Sequence, residues 1–289
     1  MDFLTDNKLP IGPWSKSFVD WLTDNVDFVF DFIATILSAS INAMLFVLQA
    51  PYLRGTALED FYPLFMIALF SLLAWFMRRS LGVTAFTFFG LLLIYNQGYW
   101  KETMETLALV LAATGVCMVI GVPIGIACAR RPWLYAVVRP VLDLMQTIPT
   151  FVYLIPALIL FGLGMVPGLI ATVIFAIAAP IRLTRLGIIS TPPSLVEAAV
   201  AFGATPTQVL RKVELPFAMP QIMAGLTQTI MLSLSMVVIA ALVGASGLGV
   251  PVVRALNTVN IARGFEAGLC IVILAIILDR MFRIPGEET

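Results

Sequence analysis

Residues 103–129 read TMETLALVLAATGVCMVIGVPIGIACA, and the only charge among them is Glu105, near the start. As an α-helix this run is about 40 Å long at 1.5 Å per residue, more than the roughly 30 Å of hydrocarbon in a bilayer. One such run is compatible with a buried helix of a soluble core. Six others share the pattern, at about 61–77, 81–98, 134–164, 167–190, 213–245 and 265–283. Hydrophobic residues make up 60% of the chain and charged residues 12%, about half the charged share of a soluble domain. The expectation is an all-α polytopic membrane protein with about seven spanning helices.

Composition also narrows the chemistry. The formal net charge is zero, so no global field favours nucleic acid as a partner. Histidine is absent, which removes the commonest general base and metal ligand. Cys117, Cys128 and Cys270 all fall within apolar runs, at spacings that suit neither a metal site nor a disulfide framework. The first 24 residues carry Asp2, Asp6, Asp20 and Asp24 with no basic leader, unlike a cleavable signal peptide. There is no G-x-x-x-x-G-K-[ST] phosphate loop, so this chain does not make the usual ATP-binding turn itself. The expectation is a chain that is not itself an enzyme, with no metal and no cofactor of its own, so that any ATP use falls to a partner.

Orientation follows from the basic residues. If the Arg78–Arg79 turn is cytoplasmic, alternation puts Arg130, Arg131, Arg182, Arg185, Arg211, Lys212, Arg280 and Arg283 on that side as well. Only Arg54, Lys101, Arg254 and Arg263 fall on the other. That asymmetry satisfies the positive-inside rule, with the N-terminus outside and the C-terminus cytoplasmic. Residues 21–50 are apolar enough for an eighth span, yet Asp24, Asp27, Asp31, Thr35, Ser38, Asn42 and Gln49 form one helical stripe. A lipid-facing span would bury aspartates at several kcal/mol each, whereas a helix lying in the interface leaves the stripe wet. The division expected is therefore 1–58, a tail and an amphipathic interfacial helix, and 59–289, the membrane domain. A span whose stripe packs on other helices is the alternative, and it would put the N-terminus inside.

The longest cytoplasmic connection runs over about 187–212. Pro192 and Pro193 end the preceding helix, lacking backbone donors. Ser194-Leu195-Val196-Glu197 has the capping-box pattern, and Gly203 stands where a left-handed C-terminal cap belongs. Thr205-Pro206-Thr207-Gln208 repeats the start signal, with Pro206 as first helical residue and Pro216 expected at the turn into the next span. The spacing predicts two short capped helices hinged at Gly203. Ala198 and Ala199 keep one surface low, suited to a groove on another protein.

Glu197-Ala198-Ala199, then Gly203, then Val213-x-Leu215-Pro216 resembles the EAA signature of binding-protein-dependent ABC importer permeases, with valine at 213 where isoleucine is usual. The resemblance implies a type I ABC importer transmembrane domain in the bacterial cytoplasmic (inner) membrane. It makes residues 194–212 the hairpin that docks on an ATPase subunit. Three further stretches are similar to the glycine betaine/proline permease branch: Asp143 to Pro156, Met231 to Ala240 and Ile273 to Arg280. With Pro180 to Thr184 they span about half the chain. The branch implies quaternary ammonium osmoprotectants such as glycine betaine, proline betaine, carnitine or choline as cargo. It also implies a homodimeric permease embedded in lipid, two ATPase subunits holding the ATP and magnesium, and an extracytoplasmic binding protein. An amino acid or amine oxide as cargo stays open.

Polar residues within the runs divide between path and packing. Asp143 and Arg139 are one turn apart, and an ion pair near a helix end explains them as well as a place on the path. Gln146, Thr147, Thr150 and Tyr153 lie where Pro149 and Pro156 break the helix and free its carbonyls, which makes them path candidates. Ser233, Ser235 and Met236 are candidates on the facing 213–245 run, where hydroxyls are equally common as packing contacts. Phe151 and Tyr153 do not share a helical face, so no aromatic cage for an ammonium ion is evident. Ser246-Gly247-Leu248-Gly249 reads as an external turn or re-entrant piece, and Glu102 and Glu105 suit a helix start. A stand-alone secondary transporter would be expected to carry mid-membrane carboxylates, and Asp143, the only one in the seven runs not at an end or tail, is itself placed near an end.

Overall fold

Every regular element is helical among the residues described by this computed structural model, 10–50 and 61–283. The expected boundary at 58/59 and the loop charge Arg54 lie outside them. The chain runs α1 (Ile11–Gln49), α2 (Tyr62–Arg78), α3 (Leu81–Asn96), α4 (Trp100–Arg130), α5 (Pro132–Thr147), α6 (Thr150–Phe161), α7 (Met165–Ala176) and α8 (Ala178–Ile189). It continues through α9 (Pro193–Ala201), α10 (Pro206–Val209), α11 (Leu215–Ala240), α12 (Gly249–Asn257) and α13 (Ile261–Phe282).

Each expected run is helical, but not every one is a full span. Among the described residues α4, α13, the α7–α8 pair over Met165–Ile189, the continuous stretch Pro206–Val243 and also Gly12–Gln49 of α1, expected to lie in the interface, are each long and apolar enough to cross a membrane. α2 and α3 are shorter apolar helices of 17 and 16 residues, joined by a tight turn in which Arg79 takes φ +47°. The run 134–164, expected as one span, is instead two helices bent by 95°. Pro149 has no amide to continue the ladder and forces Ile148 into an extended conformation, φ −65° and ψ 131°. Pro156, read as a second break, sits inside an unbroken α6.

α8 lies at the centre, packed between α4 and α11. Glycines allow the close approach. A Cβ at Gly125 would lie 2.7 Å from the Thr184 Cβ and 2.8 Å from the Ile181 carbonyl oxygen, and one at Gly121 would lie 2.8 Å from the Pro180 Cγ. These two glycines are four apart on α4, the spacing by which membrane helices gain van der Waals contact where lipid supplies no hydrophobic drive. Some buried hydroxyls turn back on their own helices: Thr172 donates to the Gly168 carbonyl and Thr229 to that of Gly225, both at 2.7 Å. That satisfies them without a partner helix.

α1 is one helix of 39 residues, about 58 Å long. Ile41 is buried in a cluster with Leu109, Ala112 and Leu169 of α4 and α7. Farther back, the Phe30 ring meets Phe161 of α6 edge-on, centroids 5.5 Å apart. The Tyr62 hydroxyl donates to the Val47 carbonyl, tying the end of α1 to the start of α2. Asp24, Asp27, Asp31, Thr35 and Asn42 are exposed, as are Phe28 and Phe32 beside them. The helix thus shows both a polar stripe and an apolar face to whatever surrounds the bundle.

Candidate functional site

The connection after α8 is a hairpin whose geometry follows from its caps. α9 begins at Pro193 with Pro192 as its N-cap, and no side chain caps it. The expected Ser194–Glu197 capping box does not form. Pro193 takes the first helical position, which moves Ser194 into the helix and out of reach of the first free amides. At the other end Gly203 N–H donates to the Val200 carbonyl at 2.8 Å and Ala204 N–H to that of Ala199 at 3.0 Å. This is the Schellman pair of bonds, and Gly203 carries the positive φ it requires, +79°. Thr205 then caps α10 as expected: its hydroxyl accepts from Gln208 N–H at 3.4 Å, and Gln208 Oε1 accepts from Thr205 N–H at 2.8 Å.

The hairpin does not end at Pro216. α10 passes through a π-helical turn, Leu210–Glu214, directly into α11. Pro216 falls in the first turn of α11, where its missing amide breaks nothing, so the expected turn is absent. The root is anchored by α4. Arg130 Nη2 donates to the Pro206 carbonyl at 3.0 Å and to Glu214 Oε2 at 2.7 Å. Leu210 and Leu215 pack beside Ile188, Ala218 and Ile222, and Val209 is buried.

The signature residues split between surface and root. Glu197, Ala198, Gly203 and Pro216 are exposed, while Ala199, Val213 and Leu215 are half-buried. No residue of α9 is buried, and Leu195, Val200 and Phe202 are exposed, Phe202 by 93%. Sequence reasoning passed over Phe202, Arg130 and Glu214. Phe202 was signalled by a phenylalanine immediately before a capping glycine, whereas the Arg130–Glu214 pair spans 84 residues and left no local trace.

The bent pair α5–α6 holds the other candidates. Arg182 of α8 forks across α5: Nη2 donates to Asp143 Oδ1 at 2.6 Å and Nη1 to Gln146 Oε1 at 2.7 Å. Arg139 reaches Asp143 only at 3.9 Å, so the expected pair exists as the weaker of two. The Tyr153 hydroxyl donates to the Met145 carbonyl at 2.5 Å, and Thr147 Oγ1 donates to that of Leu144 at 3.3 Å. The Tyr153 hydroxyl thus satisfies the Met145 carbonyl that Pro149 leaves without an amide, whereas the Leu144 carbonyl also keeps its helical bond from Ile148 N–H. Thr150 opens α6 and is half-buried. Met236 is buried with Leu154, Ala171 and Val243, against which Tyr153 packs. Ser233 is buried with its hydroxyl unpartnered, while Ser235 is exposed and donates to the Met231 carbonyl at 3.0 Å. The structure thus joins Tyr153 to Met236 and Gln146 to Arg182, and it puts Ser233 and Ser235 in different surroundings. The aromatic ring that does hold a cation is Tyr135, with the Arg185 guanidinium 3.6 Å from its centroid.

Residues 121–285 match the family model described as binding-protein-dependent transport system inner membrane component, a match that contains the whole hairpin. The chain is 45% identical over 274 residues to the glycine betaine transport system permease protein OpuAB of Bacillus subtilis (strain 168), covering 95% of this chain and 93% of that protein. It is 42% identical over 284 residues to the glycine betaine/proline betaine transport system permease protein ProW of Escherichia coli (strain K12), covering 97% and 76%. Among solved structures it is similar to an inward-facing conformation of the MetNI methionine ABC transporter. That match has a TM-score of 0.55 and 27% identity and covers 60% of this chain and 88% of that one. The helical architecture is that of a type I ABC permease. On these grounds the chain belongs to the family of binding-protein-dependent transport system inner membrane components.

Proposed function

We propose that this permease carries glycine betaine and related quaternary ammonium osmoprotectants inward by alternating access. The carrying observation is the 45% identity, over nearly the whole of both chains, to a glycine betaine permease. In this reading two copies form the path, an external binding protein delivers the solute, and two ATPase subunits bind ATP and magnesium on the cytoplasmic side. The hairpin supports the ATPase assignment: Leu195, Val200 and Phe202 offer apolar contacts, with Glu197 unpaired among the described residues. Gln146, Thr147, Thr150, Tyr153, Ser233, Ser235 and Met236 are assigned to the path and the walls that shape it.

The hairpin side is cytoplasmic in this reading, the N-terminus is outside, and α1 over residues 21–50 lies in the interface, with Ile41 against α4 and α7. Four exposed aspartates on α1, Asp20, Asp24, Asp27 and Asp31, support that placement, since each costs about 2.5–3.5 kcal/mol at the bilayer centre. Labelling of Asp27→Cys by an impermeant maleimide from outside intact cells tests it; protection there with labelling only after permeabilisation overturns it.

The function is tested by reconstituting the permease with its ATPase and binding protein in proteoliposomes. Uptake of labelled glycine betaine, competed by proline betaine but not by methionine, is the expected result. Uptake of trimethylamine N-oxide or an amino acid in its place would overturn the substrate class and leave the family intact.

A further inference from the structure

Glu102 and Glu105 sit on one face of the first turns of α4, at the end of that helix away from the hairpin. Facing them are Arg254 in the last turn of α12 and Arg263 in the first turn of α13. Between these walls is a cavity of about 480 Å³, to which Tyr99 and Ser246 also contribute. Its volume lies within the range of small-molecule sites, roughly 300–1,000 Å³. α4 is 31 residues, so the cavity and the Arg130 root of the hairpin lie about 46 Å apart, at opposite ends of the bundle.

Carboxylates predominate on the α4 wall, which also carries Lys101, and the two arginines lie on the α12–α13 side, with Glu266 one turn beyond Arg263. Among the described residues neither arginine makes an ion pair within 4 Å. The one pair in the cavity, Lys101 to Glu105 at 3.9 Å, lies along the acidic wall, with the lysine side chain 67% exposed. Glu105 by contrast is only 12% exposed, a carboxylate held against the protein beside Lys101, Gln49 and Ser246. The far wall is fixed in place. Leu248 N–H donates to Thr106 Oγ1 at 2.8 Å, and Gly247, at φ +127°, comes so close that a Cβ would lie 2.6 Å from that oxygen. This contact seats the start of α12, and with it Arg254, against the second turn of α4.

We propose that this cavity is a transient binding site for a methylated-ammonium zwitterion on the external face of the permease, a proposal that rests on the substrate class given above. A quaternary ammonium group has no N–H to donate, so it is held by carboxylates and aromatic faces, which the Glu102, Glu105 and Tyr99 wall supplies. Burial, and then the neighbouring Glu266 charge, raise the Tyr99 phenol above its ordinary value, so the ring stays neutral. The ligand carboxylate points the other way, to Arg254 and Arg263, whose guanidinium groups suit it. Because Arg254 and Arg263 are exposed, water and salt screen them, and the affinity falls near the millimolar level. A weak site of this kind lets a solute released by the binding protein move on.

The test uses the permease–ATPase complex in nanodiscs, without the binding protein, and equilibrium dialysis with labelled glycine betaine. Saturable binding with a Kd of about 1 mM is expected, at least fivefold weaker for glycine, which lacks the methyl groups. Arg254→Ala/Arg263→Ala and the isosteric Glu105→Gln should each weaken binding at least fivefold, with unchanged melting temperature and unchanged affinity for the empty binding protein. If the full transporter takes up glycine betaine but the complex shows no saturable binding, or the variants bind as the wild type does, the site is refuted and the substrate class stands. If the variants keep betaine binding and lose the binding protein, the cavity belongs to that protein's docking surface and the proposal is again overturned. If the full transporter moves a different solute and not betaine, both readings fall.

Discussion

Replacing Arg130 should uncouple this transporter more severely than replacing its partner. Arg130 Nη2 makes two contacts at the root of the hairpin, with Glu214 Oε2 at 2.7 Å and with the Pro206 carbonyl at 3.0 Å. A fully exposed pair contributes about 0.2–1 kcal/mol and a hydrogen bond to a charged group about 1.5–3 kcal/mol. With side chains 33% and 16% exposed, this pair belongs between those limits, at about 1–2 kcal/mol. If that energy holds the hairpin in its docking orientation, losing it shifts the aligned fraction by about 5- to 30-fold. Arg130→Gln should therefore lower solute-stimulated ATPase activity and uptake by about that factor, with insertion and dimerisation intact. Glu214→Gln keeps an acceptor and leaves the Pro206 contact, so it should cost only about twofold to fivefold, the lower part of the range for a hydrogen bond. The double variant should match Arg130→Gln alone, because removing the arginine already removes both contacts. The assay is uptake and ATP hydrolysis in proteoliposomes for all four proteins. Multiplicative losses in the double variant, or normal coupling in Arg130→Gln, would refute the anchoring role.

Gly203→Asp, which forces a side chain into φ +79°, and Glu197→Lys, which reverses an exposed charge, should each abolish solute-stimulated hydrolysis; retained stimulation in a permease that still inserts sinks the docking assignment. Phe202→Ser removes a ring that is 93% exposed, so thermal stability should change by less than about 0.5 kcal/mol while co-purification of the ATPase drops; a stable variant that still co-purifies normally denies the ring a role in docking. Gly125→Val puts a Cβ 2.7 Å from that of Thr184 and close to a backbone oxygen that cannot retreat, so it should destabilise the bundle by about 1–3 kcal/mol, read as a lower melting temperature in detergent.

What the sequence revealed followed the range of each interaction. Spans were legible because they need only consecutive apolar residues, and the hairpin because caps act over three or four positions. Thr205 and Gln208 form the expected box since nothing outside the turn is required. Ser194 does not, although its pattern is the same, because Pro193 preceded it and started the helix earlier. The bend at Pro149 was visible, but Pro156 is equally a proline and does not break α6. At the first proline the Tyr153 hydroxyl, from the far side of the bend, takes up the Met145 carbonyl that Pro149 leaves without an amide. The Gly121–Gly125 pair obeys a known spacing, yet its purpose becomes clear only with Pro180, Ile181 and Thr184 lying against it. The Arg182 fork and the Arg130 root, 36 to 84 residues apart in sequence, left no pattern to read.

The absence of a turn at Pro216 changes how force reaches the membrane. A hinge there would let the hairpin swing without moving α11. Instead α10, the π turn and α11 form one stretch from Pro206 to Ala240, about 52 Å at 1.5 Å per residue. Met236 near its far end is buried against α6 and α7, the helices on either side of the chain reversal at Gly162–Gly164. Rigid rotation of the hairpin end therefore displaces the Met236 end, and with it the wall formed by Leu154 and Tyr153. The stretch is irregular at the π turn, Leu210–Glu214, and at Pro220 inside α11, where one ladder bond is missing, and Arg130 braces the π turn through Glu214. Bracing at that place makes the stretch behave as a lever. Releasing Arg130 should let it flex locally and dissipate the motion, which is why the arginine and not the proline sets the coupling.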